Sequence, residues 1–101
     1  RVEVVLQQML LCGSATAPAT AALFGISERS MRRRLAAEGT SLRELLNRGR
    51  LDLACQMLGY TELAVGDIAL ALQYRDANAF SRAFRSRAGC TATQWRSRFW
   101  R

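Results

Sequence analysis

The sequence predicts an all-α fold of about seven helices, in which two helical hairpins of similar design are joined by one long central helix. Three observations carry that prediction. Apolar residues recur at spacings of three and four, and nowhere do β-branched residues alternate with polar ones as they do in strands. Alanine, leucine and arginine, all good helix formers, dominate a chain of 101 residues that has a single proline. Finally, one segment occurs twice with corresponding residues 49 positions apart, so that Ser27 falls on Asp76, Met31 on Phe80, Arg33 on Arg82 and Leu35 on Phe84. Upstream, Ala21 and Ala69 lie 48 apart, which makes the second turn one residue longer. The expected boundaries are 1–39 for the first unit, 40–60 for the joining helix and 61–101 for the second unit with a C-terminal helix.

In chain order, Val2 to Cys12 places Val2, Val5, Leu6, Met9 and Leu10 on one stripe, and Gly13 stops that helix. Ser14 or Thr16 is the candidate cap of the next, with Pro18 in its first turn, where a missing N–H does no harm. Ala19 to Phe24 is a short helix ended by Gly25. Ser27 then caps a helix whose Met31 and Leu35 turn inward while Arg32 to Arg34 turn out. Gly39 ends it. Ser41 with Glu44 three residues on is a capping-box pattern that opens the joining helix, expected to run to Leu58 and to be stopped by Gly59. Its apolar residues Leu42, Leu45, Leu46, Leu53, Met57 and Leu58 spread over more than one side, so it should pack against both units. Gly49 lies mid-helix, a position expected to cost about 1 kcal/mol relative to alanine and to lower rigidity. Arg50, flanked by core leucines, is expected to fix the interface between the units.

After a connection from Thr61 to Gly66, Ile68, Ala69, Leu72 and Tyr74 form a short helix running into a buried turn. Asp76 is placed to cap the helix that follows, with Phe80 and Phe84 at i, i+4 on its inner face and Asn78, Ser81, Arg82 and Arg85 outside. Past Gly89, Thr91 to Trp100 makes a last helix, whose Trp95, Phe99 and Trp100 dock on the core while Arg96, Arg98 and Arg101 stay wet. A helix, a tight turn and a cationic second helix tipped with short polar side chains make the helix-turn-helix arrangement that lays its second helix in the major groove of DNA. Here it occurs twice.

Charge agrees with a polyanionic partner. The net charge is +7, and all fifteen basic residues are arginine, which pairs bidentately with phosphates and guanine edges. The chain has no histidine, no glycine-rich phosphate loop and no paired carboxylates, which argues against an enzyme. Cys12, Cys55 and Cys90 are odd in number and far apart, so they read as small buried thiols rather than disulfides or metal ligands, and no cofactor or metal is expected. No apolar run is long enough to span a bilayer, and a cytoplasmic location is expected. The chain opens at Arg1 inside a helical pattern, as a fragment lacking an N-terminal part would. A competing reading is a helical protein-interaction module that docks an acidic partner such as a polymerase subunit. It accounts for the charge but leaves two matching cationic helices without a use.

Both units and the joining helix together resemble the DNA-binding domain of the arabinose-regulator (AraC/XylS-type) transcription factors. The residues that carry the resemblance are SERSMRRRLAAEGTSL, the R-L-x-x-A-x-x-x-L run from Arg50 to Leu58, and DIALALQYRDANAFSRAFRSRAGCTATQWR. Two departures stand out. The family usually has glycine then phenylalanine where Gln73 and Tyr74 stand, and proline near Ala92. A non-glycine at Gln73 predicts a strained or differently shaped turn. The resemblance implies a bacterial regulator that binds double-stranded DNA specifically, with RNA polymerase as a partner and with effector binding and dimerisation in a missing N-terminal domain. Carried onto this chain, the base-reading positions are Arg29, Arg32 and Arg33 in the first unit and Ala77, Asn78, Ser81 and Arg82 in the second. Arg34, Arg75, Arg85 and Arg87 are the expected phosphate contacts. The joining helix of 18 residues would run about 27 Å. That is less than the ~34 Å between successive major grooves, so bent DNA or one loosely seated unit is expected.

Overall fold

The computed structural model describes residues 2–13 and 16–100, and among these it contains seven helices and no strand. They are α1 (Val2–Cys12), α2 (Ala17–Leu23), α3 (Glu28–Ala37), α4 (Leu42–Tyr60), α5 (Val65–Ala71), α6 (Ala77–Ala88) and α7 (Ala92–Phe99). The candidate cap Ser14 and the expected wet Arg101 lie outside the described residues, as do the side chains of Val2 and Cys12. Two compact units divide the chain inside α4, the first ending at Gly49 and the second beginning at Arg50.

In the first unit, Leu6, Met9 and Leu10 of α1, Thr20 and Ala21 of α2, Met31 of α3 and Leu46 of α4 are buried. Thr16 caps α2 by accepting the Ala19 N–H at 3.2 Å, and Pro18 sits in the first turn. Thr20 is buried yet satisfied, because its hydroxyl donates to the Thr16 carbonyl at 2.7 Å. Gly49 has a packing role that its helix propensity does not reveal. A Cβ there would lie 3.2 Å from Leu10 Cδ1, so the missing side chain is what lets this turn of α4 close on α1.

The second unit buries Leu53, Ala54 and Leu58 of α4, Ile68, Ala69 and Leu72 around α5, and Phe80 and Phe84 of α6. An aromatic ladder runs through it: Tyr74 meets Phe80 edge-on at 5.3 Å, Phe80 meets Phe84 at 5.8 Å, Phe84 meets Trp95 at 6.2 Å, and Trp95 meets Phe99 at 4.2 Å. Thr91 and Gln94 close a full capping box at the start of α7.

Three expectations are corrected in this unit. Gly59 does not stop α4; it is buried within the helix, which continues to Tyr60. Arg96 is not wet. Its Nε donates to the Leu58 carbonyl at 3.0 Å and its Nη2 to that of Thr61 at 3.2 Å, so it closes the C-terminal end of α4, where orphan carbonyls and the helix dipole both favour a cation. Of the aromatic residues of the last helix, Trp95 joins the core, whereas Phe99 and Trp100 stay substantially exposed. Arg50 Nε donates to the Leu72 carbonyl at the end of α5 at 3.3 Å, and its guanidinium lies 5.8 Å from the Tyr74 ring centre.

Candidate nucleic-acid interface

Each unit aims its outer helix by the same device. In the first, Ile26 N–H donates to the Ala21 carbonyl and Gly25 N–H to that of Ala22, both at 3.1 Å. In the second, Tyr74 N–H donates to Ala69 at 3.0 Å and Gln73 N–H to Leu70 at 3.1 Å. These paired bonds are a Schellman ending, which requires a left-handed residue at its corner. Gly25 takes φ 69° there and Gln73 takes φ 68°. Gln73 is the one non-glycine with positive φ among the described residues, so the strained turn expected at this position is present.

The next helix starts on a side-chain cap in both units. Ser27 Oγ accepts the Ser30 N–H at 3.1 Å, and Asp76 Oδ1 accepts the Ala79 N–H at 2.8 Å. Ser27 follows Ile26 directly, whereas Arg75 stands between Tyr74 and Asp76. The extra residue of the second turn is thus an arginine. Its side chain is 83% exposed, and its Nε lies 3.8 Å from Asp76 Oδ2.

With Met31 buried on α3 and Phe80 and Phe84 on α6, the rotation of each helix is fixed. All eleven expected contact residues are exposed: Arg29, Arg32, Arg33 and Arg34 on α3, Arg75 in the turn, and Ala77, Asn78, Ser81, Arg82, Arg85 and Arg87 on α6. At about 100° per residue, Arg29, Arg32 and Arg33 fall within one narrow arc, and so do Asn78, Ser81 and Arg82. Arg85, seven residues beyond Asn78, continues that arc along α6. Arg34 and Arg87 do not share it. Arg34 borders an apolar cavity of about 270 Å³ beside Met31 and Leu35. Arg87 faces Tyr74, whose hydroxyl is pushed above its ordinary value by burial, against the lowering pull of Arg50 and Arg87.

One residue of the outer face was missing from the expected set. Glu28 occupies on α3 the place that Ala77 occupies on α6, since the two are 49 positions apart. Its Oε1 lies 3.5 Å from Arg32 Nη2, an exposed i, i+4 pair that orients the arginine while contributing little to stability. The repeat itself is the signal that finds it. Among the described residues, neither Arg29 nor Arg33 has an ion pair.

A helix-turn-helix domain family profile matches residues 20–98. The transcriptional activator NphR of a Rhodococcus species is 36% identical over 96 residues, which cover 95% of this chain and 29% of that protein. The chain thus spans under a third of the length of that relative. Among solved structures, the C-terminal domain of AraT, a response regulator from Geobacillus stearothermophilus, superposes with a TM-score of 0.83 at 26% identity, covering all of this chain and 84% of that one. An AraC-type transcriptional regulator from Chromobacterium violaceum matches in fold with a TM-score of 0.85 at 24% identity, over 95% of this chain and 87% of its own.

Proposed function

This chain belongs to the AraC-type helix-turn-helix transcriptional regulators, whose domain binds DNA sequence-specifically, and on that premise we propose that α3 and α6 read adjacent major grooves of one duplex. The observation that carries the proposal is the duplicated outer helix. In each unit a side-chain cap and buried apolar residues, Met31 on α3 and Phe80 with Phe84 on α6, present an i, i+3, i+4 set to solvent. An α-helix fits the major groove, and such a set reaches base edges over successive pairs.

Arg29, Arg32 and Arg33 read bases in the first half-site, and Ala77, Asn78, Ser81 and Arg82 in the second. Arg75, ahead of the reading arc of the second unit, and Arg85, at its far end, carry the stronger phosphate contacts. Arg34 and Arg87, set off that arc, add a weaker electrostatic attraction. In the longer protein, a further domain N-terminal to this one binds the effector and dimerises, and RNA polymerase is the partner at the promoter. The reaction class is binding without catalysis, and the protein works in the cytoplasm, where bacterial DNA lies. No described helix is long and apolar enough to cross a membrane.

The test is selection of sites from a random duplex pool with this chain at moderate salt. Two short motifs about one helical turn apart are the expected result. Salt-sensitive binding to every duplex, without enrichment, would overturn the proposal and leave the arginines as a nonspecific electrostatic surface.

A further inference from the structure

The 49-residue offset superposes more than the scaffold of the two outer helices. Caps fall on caps (Ser27 on Asp76), capped amides on capped amides (Ser30 on Ala79) and inward residues on inward residues (Met31 on Phe80). The outward residues can therefore be compared place by place. Going along the helix they are Glu28 and Ala77, Arg29 and Asn78, Arg32 and Ser81, and Arg33 and Arg82. Only the last place carries the same residue in both units.

We infer that the two units read half-sites of different base composition, the first made of G·C pairs alone and the second mixing adenine and thymine with one guanine that has a counterpart in the first. This rests on the reading of α3 and α6 given above. Arginine pairs with both O6 and N7 of guanine, and a carboxylate accepts from the amino group of cytosine. On α3 each of these four places is filled by one of these two residue types. The Glu28 carboxylate, 3.5 Å from Arg32, sets an acceptor and a donor fork side by side, a pair that suits a cytosine next to a guanine. Arg29 and Arg33, a helical turn apart, have no ion pair among the described residues and present their forks to further guanines.

On α6 the same places speak to A·T pairs. Asparagine offers one donor and one acceptor to N7 and N6 of adenine, the Ala77 methyl packs on a thymine methyl, and Ser81 bonds either partner. Arg82 alone keeps the guanine preference, at the place where Arg33 stands in the first unit.

The experiment grafts one set onto the other. Glu28→Ala, Arg29→Asn and Arg32→Ser together give α3 the outward residues of α6, all at exposed or half-exposed positions, and sites are selected from a random pool with the natural chain and the variant. For the natural chain, one enriched half-site with only G·C pairs and one with mixed pairs is expected. In the variant the first half-site should become a copy of the second, so that the site turns into a direct repeat. A single change, Asn78→Arg, serves as the converse: the adenine of the second half-site should become guanine, with a preference of about ten-fold or more. Two enriched half-sites that ignore both exchanges, or A·T pairs throughout the first half-site of the natural chain, would overturn this inference and leave the two-unit reader standing. No enrichment with any chain would remove both.

Discussion

The first and second units share one backbone frame but fill it differently. Their turns make the same pair of backbone hydrogen bonds, and their outer helices begin on equivalent caps. Inside, the places held by Phe80 and Phe84 in the second unit are held by Met31 and Leu35 in the first, and there an apolar cavity of about 270 Å³ remains, bordered also by Phe24, Leu42 and Leu45. The turn residue shows the same contrast: Leu72 is fully buried, whereas its counterpart Phe24 is 42% exposed. Hydrogen bonds and caps thus define the motif, while the size of the side chains that fill it differs between the units. The turns differ in the opposite sense. The unit with the larger inward rings carries the strained corner at Gln73, and the one with Met31 and Leu35 carries the relaxed corner at Gly25.

The largest test of this contrast is truncation of matched core residues. Phe80→Ala removes two ring contacts and a fully buried side chain, and should lower unfolding stability by about 3–5 kcal/mol. Met31→Ala, beside an existing cavity, should lose less, about 2 kcal/mol. Met31→Phe should be neutral or stabilising, because the added ring enters space that is already open. Equal losses for the two alanine variants in urea titrations would show that the cavity does not weaken the first unit.

A second test concerns function. Arg33→Ala and Arg82→Ala, equivalent in the repeat, should each weaken specific binding by about 1–3 kcal/mol and relax the preference at one base pair. Arg85→Ala should weaken specific and random duplexes alike and flatten the salt dependence. Titrations on specific and random DNA separate these outcomes. An equal loss on both duplexes for all three variants would break the division between base-reading and phosphate-binding arginines.

The frame was legible in the sequence because it is local. Ser27, Asp76 and Thr91 announce caps within three residues of the amides they serve, and the repeat aligns two turns before any contact is known. What escaped is tertiary. Gly59 looks like a stop, yet the helix runs one residue past it to Tyr60 and is closed by Arg96, dozens of positions away in the chain. Gly49 looks like a weak point, but a Cβ there would crowd Leu10 Cδ1 at 3.2 Å. Helix propensity and spacing carry no information on such partners. Glu28 is different: it was within reach of the sequence, since the repeat that marks Ala77 marks it too.

A smaller effect is expected at the corners. Gln73→Gly relieves a left-handed non-glycine residue and should gain about 1 kcal/mol, partly offset by the entropy of a freer unfolded chain. Gly25→Gln imposes the same strain on the first unit and should lose a similar amount, since a Cβ at Gly25 meets no other atom within 4 Å and backbone conformation alone is at stake. Thermal melting of both variants measures the pair. If Gln73→Gly is destabilising, the Gln73 side chain itself contributes to holding the turn.

The smallest expected effect is at Ala92, where related domains usually have proline. Ala92 is the first residue of α7, directly after the cap Thr91, and the amide at that place has no partner within the helix. Proline there loses no helical hydrogen bond. The residue before a proline must be extended, and Thr91 already is, at φ −75° and ψ 160°. Ala92→Pro should therefore stabilise by about 0.5 kcal/mol through the unfolded chain, a rise of a few degrees in melting temperature. Because Ala92 is only 4% exposed, the ring must also fit among its neighbours. A fall in melting temperature would locate the obstacle in that packing, since the backbone already has the geometry a proline needs.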